Sequence, residues 1–227
     1  MKDNRKKCLI CKEPMARWFY GMPAYDDVEE GLANNTIILG GCCLSDDNPK
    51  WACVVCCISY RHDGIGFLDK GLIDQDYFTK TYQLPTKIQM LLANDFLKTP
   101  KTIRSVGFHF HEGGYSSSFE DIRYLDGILI WNQFETQMDF LYNQYKQVQL
   151  PTQVFLLSAK MKKKLDTFIT TSRWKKDYFQ PILDGTQWEL ERMFQKKHKK
   201  SYGSNDFPKV YEELKILLQT ASCKSCQ

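Results

Sequence analysis

Two pairs of cysteines carry the clearest chemistry in this chain: Cys8 with Cys11, and Cys53 with Cys56, each pair separated by two residues. A Cys-x-x-Cys turn presents two sulfurs to one tetrahedral ion. Two such turns fill the shell and leave no position open for a substrate. The chemistry implied is therefore structural, the binding of one Zn2+ by Cys8, Cys11, Cys53 and Cys56. The competing reading is that some of these are buried free thiols. Cys57 adjoins Cys56, but the two-residue spacing favours Cys56 as the partner of Cys53. Cys42 and Cys43 follow Gly40-Gly41 and are expected to be core or surface residues, since the shell is already complete. Cys223 and Cys226 repeat the spacing near the C-terminal end, where chains fray. A second site built from Cys42, Cys43, Cys223 and Cys226 stays chemically open.

Two other groupings could act. His109 and His111 are two residues apart, so on a strand they share a face, and Glu112 follows. His-x-His can be half of a catalytic metal site, which would make the protein a metal-dependent enzyme. The plainer reading is that both histidines face solvent, opposite a core face of Val106, Phe108 and Phe110. Basic runs form the second grouping: Lys160 with Lys162, Lys163 and Lys164; Arg173 with Lys175 and Lys176; and Lys196 with Lys197, Lys199 and Lys200. Trp174, Tyr178 and Tyr202 lie near them, and aromatics among cations suit single-stranded nucleic acid. Solvated helix faces and a hairpin tip would give the same pattern. The chain contains neither a G-x-S-x-G elbow nor a Walker loop.

These groups need elements to position them. Around the first knuckle, Trp18-Phe19-Tyr20 reads as a strand, Asp26 to Leu32 as a short acidic helix ended by Ala33-Asn34-Asn35, and Thr36 to Leu39 as a second strand. Ser45 to Pro49 is a turn, and Cys57 to Tyr60 leaves the second knuckle as a strand. Residues 63–83 carry few signals, and a helix follows from Pro85 through Ile88, Leu91, Leu92 and Phe96. Alternation at Val106, Phe108 and Phe110 gives a strand, and residues 119–131 give one or two more. Residues 134–147 fit either a helix or a strand, and a helix is the preferred reading. Val154 to Leu157 is a strand, and Ser158 caps a helix carrying Met161, Leu165, Phe168 and Ile169. Trp188, Leu190 and Met193 form a strand that a basic loop, Lys196 to Lys200, joins to the region of Tyr202. A final helix begins near Pro208.

The fold class expected is α+β: a small N-terminal zinc-ribbon-like β module followed by an antiparallel sheet packed with helices. The division expected is a module over 1–62, a helical connector over 63–102, an α+β domain over 103–220 and a Cys-containing tail over 221–227. With 43% hydrophobic and 14% aromatic residues, a packed core is affordable and disorder is not the default. No apolar run nears the ~20 residues of a membrane span, so no membrane partner is expected. The charged start Met1 to Lys7 lacks the apolar stretch of a secretory signal. A cytoplasmic location is therefore expected, where close cysteine pairs hold metal more often than disulfides. The net charge of +4 conceals an asymmetry. Residues 1–150 hold 16 Lys and Arg against 19 Asp and Glu, while residues 151–227 hold 15 against 8. An anionic partner would be expected at the C-terminal end.

The stretch Cys8 to Cys56, with Tyr20-Gly21-Met22-Pro23, Leu39-Gly40-Gly41-Cys42 and Trp51-x-Cys53-x-x-Cys56, resembles a group of small uncharacterised bacterial zinc-ribbon proteins. That resemblance covers about 50 residues. It implies the metal and no activity. The stretch from Trp174 through Leu183-Asp184-Gly185-Thr186-Gln187-Trp188 to Gly203-Ser204-Asn205-Asp206-Phe207-Pro208 resembles a recurrent element of bacterial proteins of unknown function. The expected function is a non-enzymatic zinc-binding interaction protein of adaptor or immunity type, with a protein partner on the second domain. The alternatives are nucleic-acid binding by the C-terminal basic surface and metal-dependent catalysis at His109, His111 and Glu112.

Overall fold

The computed structural model describes residues 5–42, 45, 47–69, 72, 86–93, 97, 105–114, 118–139, 144–180, 185–195 and 197–222. The chain divides into two compact units, Met1–Gln89 and Met90–Gln227. The class is α+β, with a largely antiparallel sheet in the second unit. Among the described residues no helix is long and apolar enough to cross a membrane.

The first unit contains β1 (Ala16–Phe19), α1 (Tyr25–Ala33), β2 (Ile37–Leu39), β3 (Trp51–Cys53), β4 (Ile58–Tyr60) and β5 (Gly66–Leu68). Its strands lie in the order β5-β4-β3-β1-β2. β1 and β2 are parallel, with Arg17 opposite Ile37. Parallel neighbours need a crossover, and α1 supplies it as a full nine-residue helix. Gly31 makes the close docking of α1 possible, because a Cβ there would lie 2.5 Å from the Ile37 side chain. Asp26 and Asp27 occupy the first turn of α1, where the helix dipole favours negative charge. Among the described residues one apolar cluster comprises Ala16, Ile38, Ala52, Cys57 and Leu72, with Trp18 and Val54 packed on it. The Trp18 indole donates to Ser59 Oγ (3.1 Å), which donates to Asp69 (2.6 Å).

The boundary expected at residue 62 falls inside this sheet. β4 and β5 form a hairpin, with Ser59 opposite Phe67. Its turn is made by Asp63-Gly64, with Gly64 at φ 79° and the Asp63 carboxylate accepting from Ile65 N (3.0 Å). Asp-Gly is a strong hairpin signal, and residues 63–69 belong to the sheet rather than to a connector. Most of 70–85 lies outside the described residues. α2 (Thr86–Leu92) follows, where the Pro85 signal predicted a helix.

The second unit holds β6 (Gly107–Gly114), β7 (Phe119–Leu125), β8 (Ile128–Asp139), β9 (Gln144–Gln149), β10 (Gln153–Leu156), α3 (Ala159–Thr171), β11 (Asp177–Phe179), β12 (Thr186–Phe194), β13 (Lys197–Ser204) and α4 (Lys209–Ser222). Strand order is β11-β13-β12-β6-β7-β8-β10, and β9 pairs with the far half of β8. All neighbours are antiparallel except β11 with β13. The helix predicted over 134–147 is instead the end of β8 and the start of β9, with Thr136 opposite Gln147. Phe134 and Met138 fit either period. The intervening Gln133, Glu135 and Gln137 leave too narrow an apolar stripe for a packed helix, and the hairpin satisfies the backbone instead. The basic loop predicted at Lys196 to Lys200 is likewise a strand, with Glu191 opposite Lys200 and Phe194 opposite Lys197. β13 lies between β12, with which it pairs along its length, and β11, which meets it at Tyr202 to Ser204. Lys196 itself lies outside the described residues.

One face of this sheet carries the core. Phe108, Phe110, Ile122, Tyr124, Leu129, Trp188 and Leu190 are buried there with Met161, Leu165 and Ile169 of α3 and Tyr211, Leu214 and Leu218 of α4. Ser158 Oγ caps α3 by accepting from Met161 N (3.3 Å). At the other end of α3, the buried guanidinium of Arg192 donates to the carbonyls of Ile169 (3.3 Å) and Ser172 (3.2 Å). A cation is favoured there, at the negative end of the helix dipole, and the rings of Trp174 and Phe194 flank it. Trp188 is the central anchor. Its indole donates to the Asp206 carbonyl (3.0 Å), and its ring packs on Trp174, Tyr178 and Tyr211. Gly203, opposite Trp188 on β13, leaves the space that this indole fills.

A Cβ at Gly203 would sit 2.3 Å from the Trp188 ring. Gly203→Ala is therefore expected to destabilise the protein by about 1–3 kcal/mol. The check is a urea titration, in which the midpoint falls while the slope holds.

Candidate metal centre

The first knuckle begins where Lys7 bridges to Pro14, and the Cys8 amide donates to Glu13 O (2.8 Å). The second knuckle is the connection between β3, which ends at Cys53, and β4, which begins at Ile58. The two turns share a backbone device. Each has a left-handed residue directly after its second cysteine, Lys12 at φ 67° and Cys57 at φ 51°. Each donates an amide to its leading sulfur, Ile10 N to Cys8 Sγ and Cys56 N to Cys53 Sγ, both at 3.4 Å. The pairing of β1 with β3 brings the two segments together.

The four Sγ atoms of Cys8, Cys11, Cys53 and Cys56 lie within 4.8 Å of one another. Cys8 to Cys56 is 3.8 Å and Cys11 to Cys53 is 3.4 Å. These separations far exceed the ~2.05 Å of a disulfide bond, and the thiols are free. Metal–sulfur bonds of about 2.3 Å in a tetrahedron give sulfur–sulfur edges of about 3.8 Å. The array therefore has the dimensions of a four-thiolate metal site. Cys8, Cys53 and Cys56 are fully buried, and Cys11 is half-buried.

The electrostatics also favour a cation. Hydrogen bonds from Cys53 and then Cys56 hold the Cys8 thiol far below its ordinary range, against the opposing pull of burial. The Tyr60 hydroxyl, 3.5 Å away, adds to this. Cys56 is pushed strongly up by its hydrogen bonds with Cys53 and Cys8, and then by burial. One thiolate thus forms at its neighbours' expense, and four can coexist in so buried a place only around a positive ion. Cys57 stands apart. Its thiol points to the carbonyls of Val54 (3.6 Å) and Leu72 (3.8 Å), and it belongs to the apolar cluster. Cys42 is exposed, while Cys43, Cys223 and Cys226 lie outside the described residues, as does any second site that needs them.

The other groupings do not converge in this way. Glu112 points to the helix-covered side, where Lys215 Nζ holds it at 2.7 Å and Glu120 at 2.9 Å. His109 and His111 lie on the opposite side, His109 on Asp121 (2.6 Å) and His111 against the Phe119 ring. Among the described residues the four cysteines are the one group of three or more placed to hold an ion. Of the basic residues, Lys163 and Lys164 are exposed on α3, and Arg173, Lys175 and Lys176 are exposed on the segment after it. That segment runs beside β13, since Tyr202 N donates to Lys176 O (3.1 Å). Lys197 is exposed near the start of β13, Lys199 lies over the Phe194 ring, and Lys200 is ion-paired with Glu189 (2.7 Å) and Glu191 (3.4 Å).

Two concavities went unnoticed in the sequence. In the second unit, one of about 750 Å3 is lined by His111, Phe119, Tyr178, Phe179 and Tyr202. In the first unit, a groove of about 1050 Å3 is lined by Lys6, Lys7, Arg17, Lys50, Arg61 and Trp51, among others. Its cations are spread over 55 positions of the chain, so no run announces them.

Two outcomes follow for these side chains. Cobalt(II) added to the reduced apoprotein is expected to saturate at one equivalent with intense thiolate-to-metal absorption. Cys53→Ser should abolish it, while Cys57→Ser keeps it. Separately, burial alone would raise the Asp121 carboxyl, but the hydrogen bond and charge of His109, then Arg123 and Asn132, hold it down at about 2. A depressed folded-state value gives stability that is present above the unfolded value near 4 and lost as pH falls towards 2. That contribution is on the order of 2 kcal/mol. Asp121→Asn should flatten the pH dependence of unfolding between about pH 4 and pH 2, as measured by urea titrations across that window.

Comparison with protein-family models and with curated proteins found no match to this chain.

Proposed function

We propose that the protein is a non-enzymatic, zinc-binding interaction protein of adaptor or immunity type, acting in a reducing, cytoplasmic setting. The observation that carries this reading is the set of four converging sulfurs. A tetrahedral shell of four thiolates selects Zn2+ over the hard cations Mg2+, Ca2+ and Mn2+, and leaves no site where a substrate could join the metal. The ion then acts as a staple in a zinc-ribbon-like role: it holds two knuckles together and does no chemistry.

The second unit presents the partner surface in this reading. Phe179 is 70% exposed on β11, and Tyr202 is 43% exposed on the neighbouring β13. Both line the concavity that His111 and Phe119 continue. Aromatic side chains around a concavity are the usual anchors of a protein interface, because they bury large area at small entropic cost.

Metal analysis of the purified chain is expected to give one zinc per molecule and no iron. Strong thiol-specific displacement of that zinc should unfold the first unit. In affinity capture from the native cell, the Phe179→Ala/Tyr202→Ala variant should lose the specific partner at least tenfold while retaining its zinc. Undiminished capture by that variant, or turnover of a substrate by the purified protein alone, would overturn the reading.

A further inference from the structure

The first unit carries no net charge over residues 1–62, with eight Lys and Arg against eight Asp and Glu. The structure separates the two signs. Lys6, Lys7, Arg17, Lys50 and Arg61 all line the groove, and among the described residues its lining includes no carboxylate, although Asp47 and Asp63 reach Arg61 from beside it. Half of the carboxylates, Asp26, Asp27, Glu29 and Glu30, sit on α1 instead. A solvated surface of a neutral body would mix its charges, so this separation requires an explanation.

Aromatic rings interleave with these cations. Arg17 stands directly opposite Trp51 across β1 and β3, which puts both side chains on one face of the sheet. Phe19, two residues beyond Arg17 on the same strand, shares that face and is 37% exposed. Lys6 Nζ lies 5.6 Å from the centre of the Trp51 ring. The indole is half-buried, so its body is held while part of it meets the groove. Lys6, Lys7, Arg17 and Lys50 are exposed, and Arg61 alone of the five is ion-paired to described carboxylates, to Asp47 (3.3 Å) and Asp63 (3.8 Å).

We infer that this groove binds single-stranded nucleic acid: the cations track the phosphates, and Trp51 and Phe19 stack on bases. Ammonium and guanidinium groups along an open channel recognise a repeating anion, and rigid ring faces between them recognise planar bases of any sequence. A duplex shields its bases and offers nothing for the rings. An acidic peptide would match the charge but carries no regular series of planar bases for the interleaved rings. Recognition of this kind is sequence-tolerant and falls steeply with salt. The site is separate from the aromatic concavity of the second unit, so it stands or falls independently of the protein partner proposed there.

The test uses the full, metal-loaded chain and a twelve-nucleotide oligothymidine, followed by fluorescence anisotropy and tryptophan emission. Binding at low salt with quenching of tryptophan emission is expected. Lys6→Gln/Arg17→Gln/Lys50→Gln should weaken affinity at least tenfold and reduce the slope of log affinity against log salt by roughly two. Lys163→Gln/Lys164→Gln/Lys175→Gln/Lys176→Gln should bind within twofold of the parent. Trp51→Phe should retain binding and lose most of the quenching, and one metal per chain in each variant shows that the first unit has folded. The inference is overturned by an oligonucleotide that does not bind. It is equally overturned by groove variants that bind like the parent, or by inorganic polyphosphate of matched charge that displaces the strand as well as unlabelled oligothymidine does.

Discussion

Sulfur convergence is the constraint on which the first unit is built. Cys8 and Cys56 stand 48 residues apart in the chain and 3.8 Å apart in space. Closing so long a loop costs entropy that the apolar packing of this unit and any ion held by the sulfurs must offset together. Ionising more than one of these thiols without a counter-charge would add to that cost, since one thiolate suppresses the next. With a cation in their midst the same four groups become the strongest local attraction. The two knuckles and the pairing of β1 with β3 are what bring those sulfurs to one point.

The second unit solves its problem by packing instead. Trp188 occupies the middle, Gly203 gives it room, and Arg192 closes the end of α3 with its charge directed at carbonyls. This guanidinium lies 2% exposed, and burial lowers its pKa to about 10. That value keeps it charged at neutral pH, so the helix end and two aromatic rings act as its counter-ion. On the side of the sheet opposite α3 and α4, Asp121 gathers His109, Arg123 and Asn132. Arg123 reaches on to the carbonyls of Leu91, Leu92 and Ala93 at the end of α2. Both arginines thus do for a helix C-terminus what a capping residue would do locally.

Signals that are local in the chain were legible in the sequence. The cysteine spacing located the knuckles, Ser158 marked the start of α3, and the alternation at Phe108 and Phe110 marked β6. Signals that depend on a distant partner were not. The strand pairing of Phe134 to Gln149 rests on cross-strand neighbours, and its apolar spacing fits a helix equally well. The hairpin at Asp63-Gly64 was announced by its turn residues but hidden by strands of only three residues on either side. Charge behaved in the same way. Runs such as Lys196 to Lys200 are conspicuous on paper, yet Lys200 is ion-paired to Glu189 and Glu191. Lys6, Arg17, Lys50 and Arg61 meet only once β1, β3 and β4 are side by side.

Lys6 and Lys7 immediately precede Cys8, and Trp51 lies two residues before Cys53 on β3. The basic channel and the sulfur cage therefore share backbone, and neither can be disordered without the other. Were both sites filled and coupled through that backbone, thermodynamic reciprocity would apply: a ligand in the channel would raise the cage's affinity for its ion by the same factor as the ion raises the channel's affinity. A shortage of metal in the cell would be felt first as a weakened hold on that ligand.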